Sequence, residues 1–465
     1  MTLFSLFLYL LLSRTSSCRE IQEVDRSSHP VLRLPLYHVG GGSHSLQALD
    51  SSPSPSPSFL ESLALDEERV KFLNSRLDGN NATTKIHHVT TSISKGSESW
   101  IDEKSVNVPL NPGIPIGISN FYTKIGLGTP PTYHNVIMDT GSSFSWIQCE
   151  PCLVYCHPQA GARFDPSTSK TYQKLPCGTS QCSSLKVATL NSPMCTTSNT
   201  CIYSATYGDQ SFSIGYLSKD SLTFGSESLP GFVFGCGQDN NGLFGKSAGL
   251  IGLGKDSLSM LSQLSTKYGR VFSYCLPTST FLGRTGSGGF LSIGTVSNSA
   301  YKFTPMLAEY RDSTLYFVKL SAIYLSGKPL AVGSSGYSSP TVIDSGTTIS
   351  RLSAPVYSAL KQGFVDIVSS KFKIAPSFSI LDACFYATFD EISTAIPSVE
   401  LIFQGGADLR LAPHNIVLEV EKGTSCLAFA SSSSMVIIGN TQQQTFDITY
   451  DVESSKIGFA AGGCR

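Results

Sequence analysis

The chain contains few charged residues. They make up 14% of its 465 residues, whereas about 25% is usual for a soluble protein. The formal net charge is −1. Nucleic-acid-binding proteins usually present a basic surface, so this balance argues against nucleic acid as a partner. Low charge also suits a protein that works in acid, where carboxylates lose their charge.

Long apolar runs are missing beyond the N-terminus. The run over residues 1–12 is too short to span a bilayer comfortably, and small residues follow it up to Cys18. This pattern predicts a secretory signal peptide over residues 1–18, although no Lys or Arg precedes the run; a membrane anchor is the alternative. The C-terminus lacks a hydrophobic GPI tail and an ER-retention signal. We therefore expect a protein secreted to the extracellular space or cell wall, or sent to the vacuole, with no membrane anchor when mature.

A Gly-x-Ser-x-Gly motif with a plausible set of partners is also missing, which gives no support to a Ser/His/Asp hydrolase. Cysteine, in contrast, is abundant, with 13 residues. Without Cys18, the remaining twelve suffice for six disulfides in an oxidising compartment. The cluster of Cys149, Cys152 and Cys156 could instead form a zinc knuckle. The predicted export favours disulfides, and no metal or cofactor is expected.

One short pattern occurs twice. An apolar run precedes Asp139-Thr140-Gly141-Ser142, and another precedes Asp344-Ser345-Gly346-Thr347, 205 residues later. A single copy is compatible with an ordinary Asx turn. Two copies in equivalent contexts indicate duplicated halves whose loops meet and bring two carboxylates together. Two further repeats support duplication: residues 121–128 correspond to 316–323, and residues 249–254 to 436–440.

Composition divides the chain into segments. Residues 19–110 contain a Ser-Pro stretch at 51–57, which cannot pack a core. They also contain an amphipathic helix over 66–77, with Val70, Leu73 and Leu77 in register, and the glycosylation acceptor Asn81. We interpret this segment as a removable propeptide; a disordered leader is the alternative. Short β-branched runs then predict an all-β protein, with helices at 256–268 and 353–369.

Residues 117–465 resemble the pepsin-like aspartic proteases of peptidase family A1, and more narrowly the atypical plant branch typified by nepenthesins. The resemblance implies an all-β, bilobal fold with two pseudo-twofold-related lobes and a few short helices. The N-terminal lobe would span 117–300, with a cysteine-rich insertion, and the C-terminal lobe 301–465. Asp139 and Asp344 match the catalytic aspartates, Tyr207 the flap tyrosine, and Trp146 its hydrogen-bond partner. The 121 residues after Asp344 leave no room for a saposin-like insertion.

The family also implies roles for the remaining site residues. Thr140 and Ser345 would brace the two loops, Ser142 and Thr347 would bond the outer carboxylate oxygens, and Gly141 and Gly346 would permit close approach. By similarity the disulfides would be Cys149–Cys152, Cys156–Cys236, Cys177–Cys201, Cys182–Cys195, Cys275–Cys464 and Cys384–Cys426.

The resemblance implies a monomeric endopeptidase that acts on polypeptides at acid pH and is made as a zymogen. Two close carboxyl groups share a proton. The charged one activates a water, and the protonated one polarises the scissile carbonyl. A catalytically inactive binding protein on the same fold, such as a glycosidase inhibitor, is the alternative. Such relatives usually lose an Asp or disrupt its loop, whereas both loops are present here.

Overall fold

The chain folds mainly into short β-strands. The structure, a computed structural model, describes residues 59–77, 105–113, 116, 118–208, 210–242, 244–278, 288–294, 300–308 and 312–464. The first twelve strands are β1 (Ser105–Pro112), β2 (Phe121–Leu127), β3 (Thr132–Asp139), β4 (Trp146–Gln148), β5 (Gln173–Lys174), β6 (Met194–Cys195), β7 (Cys201–Thr206), β8 (Phe212–Phe224), β9 (Glu227–Asn241), β10 (Gly249–Gly252), β11 (Val271–Cys275) and β12 (Gly289–Gly294).

The second half contributes the remaining strands of the described residues. They are β13 (Lys302–Pro305), β14 (Phe317–Val318), β15 (Leu320–Leu325), β16 (Lys328–Pro329), β17 (Thr341–Ile343), β18 (Ser350–Ser353), β19 (Ile374–Ala375), β20 (Cys384–Phe385), β21 (Val399–Phe403), β22 (Asp408–Leu411), β23 (Val417–Glu421), β24 (Thr424–Leu427), β25 (Phe429–Ser432), β26 (Val436–Ile438), β27 (Phe446–Asp451) and β28 (Lys456–Ala461). The α-helices are α1 (Phe59–Leu77), α2 (Ser180–Ala188), α3 (Met260–Tyr268), α4 (Ala354–Val368), α5 (Phe389–Ile392), α6 (Pro413–Ile416) and α7 (Asn440–Gln443).

One sheet joins the two halves and shows their pseudo-twofold relation. Six of its strands follow the order β13-β28-β27-β11-β12-β1, and the sheet continues from β1 into β2. The two central strands, β11 and β27, come from different halves and pair antiparallel, with Ser273 opposite Thr449. On each side of this pair lies the next strand of the same half, and an outer strand follows it. The order β11-β12-β1 on one side of the centre therefore matches the order β27-β28-β13 on the other side, as duplicated lobes require.

The repeated sequence motifs occupy equivalent places in the two lobes. In the first, β3 runs parallel to β10, and β10 pairs antiparallel with β4. In the second, β17 runs parallel to β26, and β26 pairs antiparallel with β18. The predicted all-β, bilobal fold is therefore confirmed, with each Asp loop leaving the carboxyl end of β3 or β17.

Glycine at the end of β10 permits a close backbone approach. A Cβ at Gly252 would lie 2.4 Å from the carbonyl carbon of Ser143. The equivalent Gly439 would place a Cβ 2.8 Å from the carbonyl oxygen of Thr348. Any side chain would push the chain after each Asp loop out of place. The apolar-apolar-Gly repeat thus reflects a packing requirement shared by both lobes.

Two predicted helices are present with adjusted ends. The helix predicted over 256–268 begins at Met260, because Ser259 caps it by accepting a hydrogen bond from Ser262 N–H at 3.2 Å. The helix predicted over 353–369 spans α4, and its residues Val356, Leu360 and Phe364 are buried as expected. The sequence also predicts Ile367 on the apolar stripe, but this side chain is 37% exposed. Val368 occupies the buried position instead.

The disulfide pairing differs from the expected one in the cysteine-rich insertion. The expected bridges Cys149–Cys152 and Cys156–Cys236 are wrong, because parallel pairing of β4 and β9 brings Cys149 and Cys236 to a Cα–Cα distance of 5.4 Å. These two cysteines form a bridge, and Cys152 bonds Cys156 within one short loop.

The expected bridges Cys177–Cys201 and Cys182–Cys195 are also wrong. Burial separates these four residues into two pairs. Cys182 and Cys201 are buried in the same apolar cluster and bond each other. The more exposed Cys177 and Cys195 form the other bridge, with their Cα atoms 6.0 Å apart. The structure forms the expected bridges Cys275–Cys464 and Cys384–Cys426.

Several predictions concern the N-terminal part of the chain. The predicted signal peptide and Asn81 lie outside the described residues. The predicted propeptide boundary at residue 110 falls inside β1, which pairs with β12 from Ser105 to Leu110. Among the described residues, no helix combines the length and apolar character needed to cross a membrane.

Candidate active site

The two Asp loops meet at the interface between the lobes. Asp139 is the last residue of β3, and Asp344 directly follows β17. Both carboxylates are buried, with exposures of 1% and 0%. The N–H of Gly141 donates to Asp139 Oδ1 at 2.9 Å, and the N–H of Gly346 donates to Asp344 Oδ1 at 3.0 Å. The structure thus brings together the two aspartates that the repeated motif predicts.

Close packing explains the glycine in each loop. A Cβ on Gly141 would lie 2.7 Å from Asp344 Oδ1, and a Cβ on Gly346 would lie 2.5 Å from Asp139 Oδ1. Each loop therefore lies against the carboxylate of the other lobe. A side chain at either glycine would drive the two aspartates apart.

The expected brace between the loops is present. Ser345 N–H donates to Thr140 Oγ1 at 2.9 Å, and Thr140 N–H donates to Ser345 Oγ at 3.2 Å. The Ser345 hydroxyl also donates to the carbonyl of Met138 at 3.4 Å. Each hydroxyl crosses the interface and accepts from the opposite backbone. Serine therefore provides the same bond that a threonine would at this position.

The outer oxygens of the two aspartates have different partners. Thr347 Oγ1 donates to Asp344 Oδ2 at 2.6 Å, as expected. Ser142 was expected to do the same for Asp139, but its buried hydroxyl has no hydrogen-bond partner among the described residues. The expectation for Ser142 is therefore wrong for this state of the chain. Arg69 faces the oxygens of Asp139 instead.

A helix from the predicted propeptide lies in the cleft over both aspartates. Arg69 of α1 donates from Nη2 to Asp139 Oδ1 at 2.7 Å and to Asp344 Oδ1 at 3.0 Å. Its Nε donates to Asp344 Oδ2 at 3.0 Å, and its Nη1 to Asp139 Oδ2 at 3.4 Å. One guanidinium thus contacts all four carboxylate oxygens. A substrate cannot reach the pair while Arg69 is in place.

The N-terminal half of α1 is held by charge and backbone contacts. Asp66 accepts hydrogen bonds from the N–H groups of Thr348 and Ile349, the second at 3.2 Å. It also pairs with Arg351 at 3.0 Å, and Glu67 contacts the same guanidinium at 3.1 Å. These contacts hold the helix against the loop that follows Asp344.

The C-terminal half of α1 is held in a similar way. Arg76 Nε lies 2.6 Å from Asp312 Oδ2, and Nη1 donates to the carbonyl of Gly141 at 3.0 Å. Nη2 donates to Thr314 Oγ1 at 2.7 Å. Three apolar residues of α1 pack on the second lobe: Val70, Leu73 and Leu77. Their cluster includes Leu315, Phe317, Val342, Met435 and Ile437.

Charge in the cleft shifts the pKa of Asp344. Burial alone would raise the pKa of Asp344, but the charge and hydrogen bonds of Arg69, with those of Thr347 and Gly346, hold that pKa below its ordinary value. Burial opposes the charge of Arg69 as well, yet the two carboxylates raise the pKa of its guanidinium above the ordinary value. The docked helix therefore stabilises an ionised Asp344.

Asp66 responds in the opposite direction. Its burial raises the pKa of the carboxyl above the ordinary value, although Arg351 and the two backbone N–H groups oppose this effect. Acid therefore does not weaken this anchor in the way that it weakens the contact between Arg69 and Asp344.

The predicted flap covers α1. It is the turn between β7 and β8, closed by Tyr207 N–H donating to Ser211 O at 2.8 Å. Trp146 Nε1 donates to the Tyr207 hydroxyl at 2.7 Å, which is the predicted pair. A Cβ on Gly208 would lie 2.4 Å from Phe72 Cβ, so the flap rests directly on the helix.

Sequence reasoning missed three functional residues: Asp66, Arg69 and Arg351. The helix around the first two was predicted, but no role was assigned to its charged residues. A signal was available, because Asp66 lies on the same stripe as Val70, Leu73 and Leu77 and is buried with them. A carboxylate on an apolar stripe indicates a buried partner.

No group of three or more His, Cys, Asp or Glu side chains within the described part of the chain is arranged to hold a metal ion. The site offers two carboxylates, their hydroxyl and N–H donors, and a flap. Such a site supports general acid–base activation of a water at a bound carbonyl.

Comparisons with known proteins agree with this geometry. The family models for the xylanase inhibitor N-terminal and C-terminal regions match residues 121–295 and 315–461. An aspartyl protease family protein of Arabidopsis thaliana is 39% identical over 92% of this chain and 87% of its own. Aspartic proteinase nepenthesin-2 of Nepenthes gracilis is 32% identical over 84% of this chain and 89% of its own.

Basic 7S globulin from soybean shares the fold, with a TM-score of 0.60 and 22% identity over 77% of this chain and 96% of its own. The duplicated lobes, the paired Asp loops and the sequence relatives agree with one another. The chain therefore belongs to the pepsin-like aspartic proteases, in the nepenthesin-like branch of plants.

Proposed function

We propose that this protein is a secreted endopeptidase, made as a zymogen, that hydrolyses polypeptides at acid pH through a water activated by Asp139 and Asp344. The observation that carries the proposal is the contact of one guanidinium with all four oxygens of the two buried carboxylates. A pair of carboxylates this close is the arrangement that aspartic catalysis needs. Export to the extracellular space, cell wall or vacuole follows from the predicted leader.

The position of Arg69 Nη2 indicates where the water would bind. This nitrogen lies within 3.0 Å of Oδ1 of both aspartates. A water at this point would hydrogen-bond both carboxyls once α1 has left. The pair then shares a proton and titrates as a unit. The charged carboxylate of the pair takes a proton from the water, and the protonated carboxyl donates to the scissile carbonyl. The product is a neutral tetrahedral diol, formed without a covalent intermediate.

The remaining contacts support this chemistry. The Gly141 and Gly346 N–H groups bond the inner oxygens, and the Thr347 hydroxyl bonds the outer oxygen of Asp344. The flap, held by Trp146 and Tyr207, would cover an extended peptide and exclude water. The Ser142 hydroxyl, which has no hydrogen-bond partner among the described residues, would bond Asp139 once Arg69 has left.

Helix α1 serves as the inhibitory segment in this proposal. It fills the cleft beneath the flap and neutralises the dyad, so the uncut chain is inactive. Removal requires a cut between Leu77 and Ser105, since β1 belongs to the sheet. This keeps a secreted protease inhibited until export is complete.

A binding protein on the same fold is the second candidate, and the names of the matching family models favour it. Against it stand two intact Asp loops, the brace between them and the Trp146–Tyr207 pair. A protein selected to bind another protein needs none of these groups at the bottom of its cleft.

Cleavage of a denatured protein by the acid-treated chain, from about pH 2 to about pH 7, tests the proposal. Asp139→Asn and Asp344→Asn should each abolish cleavage, and Asp382→Asn, which changes a carboxylate beside Lys361, should not. Pepstatin should inhibit the native chain. No cleavage after loss of residues 59–77, confirmed by mass, would favour the binding protein, and cleavage by both dyad variants would exclude the dyad.

A further inference from the structure

A second cation lies beside the dyad, and its carboxylate partners in the described part of the chain come from α1 alone. Arg351 belongs to β18 and is fully buried. Within the described residues, the carboxylates in ion-pair contact with it are Asp66 and Glu67, both from α1. Its Nη1 donates to the carbonyl of Ile349 at 2.7 Å, and its buried Nε has no hydrogen-bond partner among those residues.

Backbone donors complete the surroundings of the Asp66 carboxylate. The N–H groups of Thr348 and Ile349 both point to its oxygens. One carboxylate therefore receives two backbone hydrogen bonds and one ion pair from the second lobe. This is a built anion site with a charged side chain that is itself buried, and charge-assisted contacts of this kind are among the stronger ones in proteins.

The anion site lies close to the reacting atoms. Asp66 precedes Arg69 by three residues of helix, a rise of about 4.5 Å along its axis. Asp66 and Thr348 line the same cavity as Asp139 and Gly346. An extended peptide advances about 3.3 Å per residue, so a side chain in the anion site would belong to a residue within about two positions of the scissile bond.

Removal of α1 leaves Arg351 uncompensated. The guanidinium then faces the open cleft without a carboxylate, and a carboxylate from another molecule can take the place of Asp66 in a charge-assisted contact. We propose that Arg351, with the N–H groups of Thr348 and Ile349, forms a substrate subsite for an Asp or Glu side chain near the scissile bond. In the uncut chain Asp66 occupies this subsite. The inference rests on the proposed protease function.

The competing explanation is that Arg351 serves to anchor α1 and has no part in the mature enzyme. The two explanations predict different substrate preferences for the mature enzyme. If Arg351 only anchors α1, acidic and neutral peptides should be cleaved equally well. A subsite favours the acidic peptide, and that preference depends on the guanidinium of Arg351.

The test uses the full-length chain after acid processing, with loss of residues 59–77 confirmed by mass spectrometry. Peptides identical except for Glu or Gln are compared, with the variable residue placed at each of the three positions on either side of the scissile bond. The assay is run at about pH 5.5, where a Glu carboxyl is ionised. At one position, kcat/KM should be about tenfold higher or more for Glu, the size expected for a charge-assisted contact.

Variants then assign the preference. Arg351→Gln should remove the preference, measured as the ratio of kcat/KM for the Glu peptide to kcat/KM for the Gln peptide. Arg351→Lys should restore part of that ratio, since Lys keeps the charge without the planar fork. Lys361→Gln, which alters an exposed cation paired with Asp382, is the matched control and should retain the full preference.

Equal rates for Glu and Gln peptides at all positions would overturn the subsite while leaving the protease intact, and this comparison needs no variant to fold. A preference that persists in Arg351→Gln would overturn the assignment to that residue. Failure to cleave any peptide would contradict the proposed function instead. In that case, fluorescence anisotropy of the same peptides on the processed chain still decides whether Glu binds more tightly than Gln.

Discussion

Replacing Arg69 by Gln removes the guanidinium from between Asp139 and Asp344 and leaves the rest of α1 unchanged. The native side chain makes four contacts of 2.7 to 3.4 Å with two buried carboxylates. A hydrogen bond to a charged group contributes about 1.5–3 kcal/mol. The four contacts share one pair of ions and do not add independently, so the loss of docking free energy is about 3 kcal/mol.

Such a loss corresponds to a rise of about 150-fold in the population with α1 undocked. Cleavage by the uncut chain should therefore rise by one to two orders of magnitude at about pH 5.5 before any acid treatment. The assay follows a quenched fluorescent peptide from the first seconds, with the chain length checked by gel at the end. This separates activity of the uncut chain from activity after processing.

Lys71→Gln is the matched control. Lys71 lies on the same helix but is exposed and pairs with Glu68. It should leave the uncut chain as inactive as the native one. Equal inactivity of the Arg69→Gln and native chains, both of which become active once α1 is removed, would refute the conclusion that the guanidinium blocks the dyad.

Three further predictions concern the dyad and its cover. The lowered pKa of Asp344 stabilises docking of α1 fully when the pH is above the ordinary Asp pKa, and this stabilisation is lost as the pH falls through the lowered value. Inhibition of the mature enzyme by a peptide of residues 59–77 should therefore weaken below about pH 4. Asp66, with its raised pKa, acts in the opposite sense, so Asp66→Asn in that peptide should make the loss on acidification steeper, and a shallower loss would contradict the assignment. Thr347→Val should lower stability by about 1–3 kcal/mol in thermal denaturation of the uncut chain, whereas Ser142→Ala, which removes a hydroxyl without a hydrogen-bond partner among the described residues, should cost less; the reverse order would refute the observed asymmetry. Trp146→Phe removes the donor to the flap tyrosine and should raise KM more than it lowers kcat, measured with one peptide substrate.

The sequence was sufficient for the fold and for the centre of the site. Two Asp loops after β-branched runs predicted that Asp139 and Asp344 would meet, and both the lobes and the loops follow the predicted duplication. The family resemblance, in contrast, implied the brace and the flap pair. The Asp loops depend on short-range sequence context repeated in each lobe, so they are visible in one dimension.

The disulfides of the insertion depended on information that spacing does not contain. Cys149 bonds Cys236, 87 residues away, because β4 and β9 pair in parallel. Cys152 is only three residues from Cys149 and could also form a bridge with it by spacing alone. The pairing of β4 with β9 selects Cys236 as the partner of Cys149 instead. Sequence separation alone cannot exclude any of these pairings.

The contacts of α1 illustrate a different limit. Arg69 and Asp344 are 275 residues apart, and neither side chain indicates the other by its local pattern. Asp66, however, occupies a stripe position between Leu63 and Val70, where an apolar residue would pack without cost. An acidic residue persists there only if the opposite surface supplies donors. A carboxylate on the buried face of a propeptide helix therefore identifies a cation in the cleft, and here that cation is Arg351. The helix that inhibits the uncut chain thus carries, in its own sequence, the chemical character of the side chain that the mature cleft is built to bind.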